Sequence, residues 1–186
     1  MEQTRLNPGD LLVAVPQLAD PSFQRAVVLL LHLDEEGALG VVLNRELDVA
    51  VGSVLPTWQD VVAGPPNLFQ GGPVGIDGAL AVATLVAGVD PPRAVTRVAG
   101  AFGLADLDAE PEAVRGVLGL RVFAGHAGWS GGQLEAEVAA GDWYVFPALP
   151  SDVVTGDPAG LWKAVMRRQG GAIAILSTAP VDPSLN

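Results

Sequence analysis

The stretch Ala26-Val-Val-Leu-Leu-Leu-His-Leu-Asp-Glu-Glu-Gly-Ala-Leu-Gly-Val-Val-Leu-Asn44 decides the fold class. Ala26 to Leu33 and Leu39 to Asn44 are short apolar runs bounded by turn residues, the pattern of core strands. Asp34-Glu-Glu-Gly37 joins them closely enough to predict an antiparallel hairpin. Upstream, Leu11 to Val15 reads as a buried strand between Pro8-Gly9-Asp10 and Pro16. Asp20-Pro-Ser22 reads as a turn, because Asp bonds its own downstream backbone and Pro presets the dihedral. Downstream, residues 48–62 suggest a short helical turn, and Ala63 to Asn67 a loop. Leu68 to Gln70 suggests a short strand stopped by Gly71-Gly-Pro73. Ala79 to Val86 and Val95 to Phe102 read as further strands. Pro111 opens a predicted helix to about Leu118, with Glu110 and Glu112 at its positive end.

The C-terminal third interleaves the two element types. Leu120 to Ala124 reads as a strand, and Ser130 to Ala140 as a helix. Ser130 and Gln133 have capping-box spacing, and Gly141 suits the C-cap. Trp143 to Phe146 resumes as a strand. Asp157-Pro158 opens a last helix ended by Gly170, Ala172 to Leu176 reads as a final strand, and the tail beyond Pro180 is expected to fray. Strands and helices do not alternate regularly, so the expectation is an α+β fold, one domain over residues 1–186.

Composition narrows the function. The chain has 186 residues, 49% of them hydrophobic and 17% charged, with no Cys and a net charge of −11. It is too apolar to be disordered, and its longest apolar run, Ala26 to Leu31, is too short to span a bilayer. Without Cys there are no thiolate nucleophiles, disulfides or Cys-ligated metals. No basic segment leads into an apolar stretch near Met1, so a cytoplasmic location is expected. Nine Arg and a single Lys, against 21 acids, disfavour direct DNA binding, which relies on cations displacing counterions from phosphates. No metal-binding spacing, P-loop or dinucleotide fingerprint is present, so no cofactor is expected.

One motif argues for catalysis. Gly128-Trp-Ser130-Gly-Gly132 matches the G-x-S-x-G nucleophile elbow, with a strand before it and a helix after it. A serine nucleophile needs a general base, and the elbow order places that His after the Ser. Both histidines, His32 and His126, precede Ser130. The hydrolase reading stays as the alternative, and a non-catalytic reading is preferred. The glycine-rich segment from Ala124 to Glu135 still offers free amides at a helix start, which can hold a carboxylate or phosphate. Trp129 within it suits either a core plug or a binding aromatic, with core favoured.

Several segments resemble the AlgH/YqgE-like family of small bacterial proteins. They are Gly9 to Pro16, Asp20 to Val28, Gly37 to Arg45, Gly71 to Val74, and Gly125-His-Ala-Gly-Trp-Ser-Gly-Gly-Gln-Leu-Glu135, with Glu137 and Trp143 following. The resemblance implies a single domain with a curved, barrel-like mixed β-sheet flanked by helices. Members are labelled transcriptional regulators, without an established biochemical activity. The Ser130 position is often Gly in relatives, which weighs against a nucleophile. The expected function is a binding or regulatory protein for an unknown protein or small-molecule ligand, with any transcriptional effect indirect. Self-association is compatible with the low charge. The candidate binding residues are Asn44, Arg45, Gly72, Pro73, His126, Gly128, Trp129, Ser130, Gly132, Gln133 and Glu135. The loops carrying them are expected to converge.

Overall fold

The computed structural model describes residues 5–181. In chain order the first strands are β1 (Asp10–Ala14), β2 (Val27–Leu33), β3 (Gly37–Val42), β4 (Glu46–Ala50) and β5 (Asn67–Gln70). The remaining strands are β6 (Val74–Thr84), β7 (Val95–Ala99), β8 (Phe102–Ala105), β9 (Gly119–Ser130) and β10 (Trp143–Pro147). Four short helices accompany them: α1 (Gln133–Ala140), α2 (Pro150–Val153), α3 (Leu161–Arg168) and α4 (Gly171–Leu176). The strands form one curled, mixed sheet in the order β10-β1-β2-β3-β9-β6-β8-β7, with β4 and β5 branching beside β9. The architecture is α+β, a half-barrel flanked by helices.

The predicted hairpin forms, with β2 and β3 antiparallel. Asp34 makes its turn by accepting the amides of Glu36 at 2.8 Å and Gly37 at 3.1 Å. The unbroken apolar runs are explained by burial on both faces of the sheet. Leu11, Val13, Val27, Leu29 and Val41 point into a core closed by Leu161, Trp162, Val165 and Met166 of α3. The alternate residues Leu12, Ala14, Val28, Leu30 and Val42 enter a second core with Trp129, Leu134 and Trp143. A third core lies under two short 3-10 helices, Val51–Ser53 and Pro56–Trp58, and gathers Trp58, Leu68, Leu120 and Val122.

Several boundaries differ from expectation, each for a physical reason. Val95 to Phe102 is not one strand: Gly100, at φ 51°, turns the chain so that β7 and β8 pair as a hairpin. The helix expected from Pro111 to Leu118 is a single 3-10 turn, Pro111–Val114. The strand expected at Leu120 to Ala124 runs on to Ser130, straight through the glycine cluster, and helix α1 starts only at Gln133. The strand expected at Ala79 begins at Val74 and ends at Thr84. The last long helix starts at Leu161 rather than Pro158; Asp157 instead caps the preceding turn by accepting the Gly160 amide at 3.0 Å. Ala172 to Leu176 is helical, as α4, with Ile173 and Leu176 resting on the main core. The tail from residue 182 onward lies outside the described residues.

Candidate functional site

The site is organised by a chain crossing. Phe123 and Ala124 of β9 pair with Phe69 and Gln70 of β5 on one edge, and with Leu80 and Ala79 of β6 on the other. Four residues after Gln70, Val74 already pairs with His126 on the β6 edge. Residues 71–73 therefore pass across the face of β9. Only glycine permits this, since a Cβ on Gly71 would collide with the carbonyl oxygen of Gly125, and one on Gly72 with the backbone of His126. The Gly71 carbonyl also accepts the Val42 amide at 2.8 Å, filling the fork where β3 and β9 diverge. The Gly71-Gly-Pro73 motif thus ends β5 at Gln70, as expected, and also carries the crossing.

A pocket of about 170 Å³ opens at the crossing, lined by Pro21, Ser22, Arg45, Gln70, Gly72 and Pro73. Arg45 follows β3, and its carbonyl accepts the Gln70 amide at 2.8 Å. Its guanidinium is half-buried and donates to the carbonyls of Pro21 at 3.2 Å and Gln24 at 3.1 Å. No carboxylate lies within 4.0 Å of it among the described residues. Glu46, the obvious local acid, is turned to Asn67, whose side-chain amide donates to it at 2.7 Å. Burial draws the guanidinium below its ordinary value and the nearby Asp20 carboxylate raises it again. An arginine remains a cation at neutral pH in either case. The result is a fixed positive charge with spare donors at a concave surface.

Of the other expected residues, Asn44 has a structural task. Its Oδ1 accepts the Val27 amide at 3.0 Å and its Nδ2 donates to the Arg25 carbonyl at 2.9 Å, bridging Arg25, the one non-glycine residue with positive φ among the described residues. His126 packs over Gly75 beside the crossing, where a Cβ on Gly75 would sit 3.3 Å from its ring. Gly128, Ser130, Gly132, Gln133 and Glu135 are exposed at the far end of β9 and the start of α1. That end faces the hairpin turn, since Ser130 pairs with Gly37. Ser130 lies roughly 13 Å along the strand from His126, four residues at about 3.3 Å each. The loops thus gather Arg45, Gly72, Pro73 and His126 into one region and leave Ser130 to Glu135 in another.

The second region is a helix start and a core plug. Trp129 is buried, stacks on Phe23 at 5.9 Å and meets Trp143 edge-on at 6.1 Å. Both indole N–H groups, of Trp129 and Trp143, donate to the same Oε2 of Glu137 at 2.9 Å. Ser130 is not the N-cap, a place taken by Gly132 at φ 77°. Half of the capping box survives, with the Ser130 amide donating to the Gln133 side chain at 3.1 Å. The Ser130 hydroxyl also donates to Gln133, a neutral amide that cannot serve as a general base. His32 is engaged with Asp34 at 2.7 Å.

Sequence reasoning passed over Ser22 and Gln70 of the pocket, and the arginines Arg25 and Arg121. Ser22 was legible only as part of a turn, and Gln70 as the end of a strand. Arg121 is 1% exposed and donates to the carbonyls of Val153, Thr155 and Gly64, with its guanidinium 4.3 Å above the Phe69 ring. Burial pulls it down to about 10. It braces three chain segments and does not open on the pocket.

A family model described as AlgH-like matches residues 11–174. A UPF0301 protein of Streptomyces coelicolor is 54% identical over 182 residues, covering 96% of this chain and 94% of its own. One from Mycobacteroides abscessus is 47% identical over 185 residues, covering 98% and 89%. A crystal structure of a Corynebacterium diphtheriae protein is similar at TM-score 0.90 and 40% identity, covering 96% of this chain and 95% of that one. The solution structure of the AlgH protein from Pseudomonas aeruginosa is similar at TM-score 0.68 and 26% identity, covering 97% and 98%.

Proposed function

The chain belongs to the AlgH-like family, and from that premise we propose that it is a non-catalytic binding or regulatory protein whose ligand carries an anionic group held at Arg45. One observation carries the reading: Arg45 is held in place by two backbone carbonyls at a pocket and has no carboxylate partner within 4.0 Å among the described residues. A half-buried guanidinium fixed by two carbonyls on the wall of a pocket has N–H groups left to hold an anion. A cytoplasmic location and a protein or small-molecule partner belong to the same proposal. No helix among the described residues is long and apolar enough to cross a membrane. Any role in transcription is indirect on this reading, given the sign of the charge.

Titration of the ¹⁵N-labelled protein with phosphate and with simple carboxylates tests the reading. The amides of Ser22, Gln70 and Gly72 should move while those of α1 stay still. Unmoved pocket amides with every anion would sink it. The hydrolase alternative draws support only from the G-x-S-x-G spacing, and a fluorophosphonate probe decides it. We expect no label on Ser130.

A further inference from the structure

We infer that the Arg45 pocket selects a carboxylate monoanion over a phosphate dianion; this rests on the reading of Arg45 as the anion-binding residue. Among the described residues the pocket offers one cation. Pro21, Ser22, Gln70, Gly72 and Pro73 complete its wall, and none of them is charged. The Asp20 carboxylate accepts the amide of Ser22, a pocket-lining residue, at 2.7 Å, and so places a negative charge beside the site. A second negative charge on a ligand would therefore meet repulsion with no second cation to offset it. The whole chain, at −11, adds a field of the same sign.

Geometry points the same way. The NH1 and NH2 nitrogens of Arg45 each donate once to a backbone carbonyl, which fixes the plane of the guanidinium. The Nε–H and one hydrogen on each terminal nitrogen remain, enough donors for the two-point, planar contact that a carboxylate accepts. Phosphate sites more often draw on several backbone amides or a cluster of cations. The rings of Pro21 and Pro73 supply an apolar wall for a carbon chain behind the carboxylate. The same chemistry is presented by a free small carboxylic acid and by the last residue of a peptide.

Four probes at equal ionic strength separate these: propionate, inorganic phosphate at pH 8, a short peptide with a free C-terminus, and the same peptide amidated. Propionate should shift the Arg45 Nε–H and the pocket amides at concentrations where phosphate does not. The free peptide binding at least tenfold more tightly than propionate, with the amidated one silent, would identify a chain terminus as the source. Propionate binding as well as or better than the peptide would identify a small acid. Arg45→Gln should abolish these shifts. Because Arg45 also supports the turn at residues 21–24, Ser22→Asp serves as a second variant. It adds a negative charge to the rim, leaves the Arg45 contacts in place, and should weaken propionate at least tenfold. Phosphate binding more tightly than propionate would overturn the inference while leaving Arg45 as an anion site. Silence from all four probes would overturn both.

Discussion

Glu137 shows how much one side chain can hold. One carboxylate oxygen receives two indole N–H groups, and the other receives the Gln133 amide at 2.9 Å. Glu137→Ala would leave two buried indole donors without acceptors, and a buried donor left unpaired costs about 1–3 kcal/mol. We expect about 2 kcal/mol of lost stability in urea unfolding, with a red-shifted tryptophan emission as Trp129 and Trp143 take up water. Asp34 makes a pH-dependent contribution of predictable sign. The hydrogen bond from His32, then the amide of Glu36, hold its carboxyl below the ordinary 3.8. A depressed carboxylate stabilises the fold above its unfolded value, and the effect fades as pH falls through the folded one. In His32→Ala, the Asp34 carboxyl followed by ¹³C NMR should titrate at higher pH than in the parent. At this scale the sequence was informative where a motif named the residue, as with Arg45 and Trp129. It was silent for Ser22 and Gln70, whose role exists only once residues 71–73 cross β9.

At the scale of elements, glycine was the main source of misreading. The cluster Gly125 to Gly132 suggested a loop ahead of a helix, because isolated glycines usually mark breaks. In the structure Gly125 and Gly128 lie within β9 while Gly131 and Gly132 lead into α1, and Gly71, Gly72 and Gly125 are small because two backbones touch there. Gly72→Ala should accordingly prevent stable folding, seen as loss of dispersed amide resonances. Gly100→Ala is a control: φ is 51° but nothing lies within 4 Å, so only the backbone penalty applies. We expect about 1 kcal/mol there. Ala172 to Leu176 was misread because a short apolar run carries no period that separates strand from helix. The helices α2 and α3 are joined by a bidentate pair, Arg168 to Asp152 at 2.6 and 2.8 Å, with Asp152 almost fully buried. Arg168→Ala strands that carboxylate and should cost about 3 kcal/mol in urea unfolding.

For the whole molecule, the fold class was readable because patterning is strong where both sheet faces are buried. The hairpin of β2 and β3 could be read from its own residues, as could β1 and β10. The order of the sheet could not, because β9 pairs with strands from every earlier third of the chain and no local pattern encodes such partners. Charge acts at this scale too. With −11 spread over the chain, duplex DNA should show no retarded band at any salt concentration, including the lowest tested.

The position of β9 in the sheet also sets a timetable for making the protein. Strands β2 and β3 leave the ribosome early, yet β3 waits for Ala127–Ser130 and β1 waits for β10. At typical translation speeds of about 5–20 residues per second, the hundred or so residues in between take on the order of 5–20 s to arrive. Through that interval the nascent chain carries a valine- and leucine-rich three-stranded sheet, β1-β2-β3, whose two outer edges are open, the form most prone to pair with a neighbour. In a polysome this open sheet is the segment expected to need shielding until the central strand is synthesised.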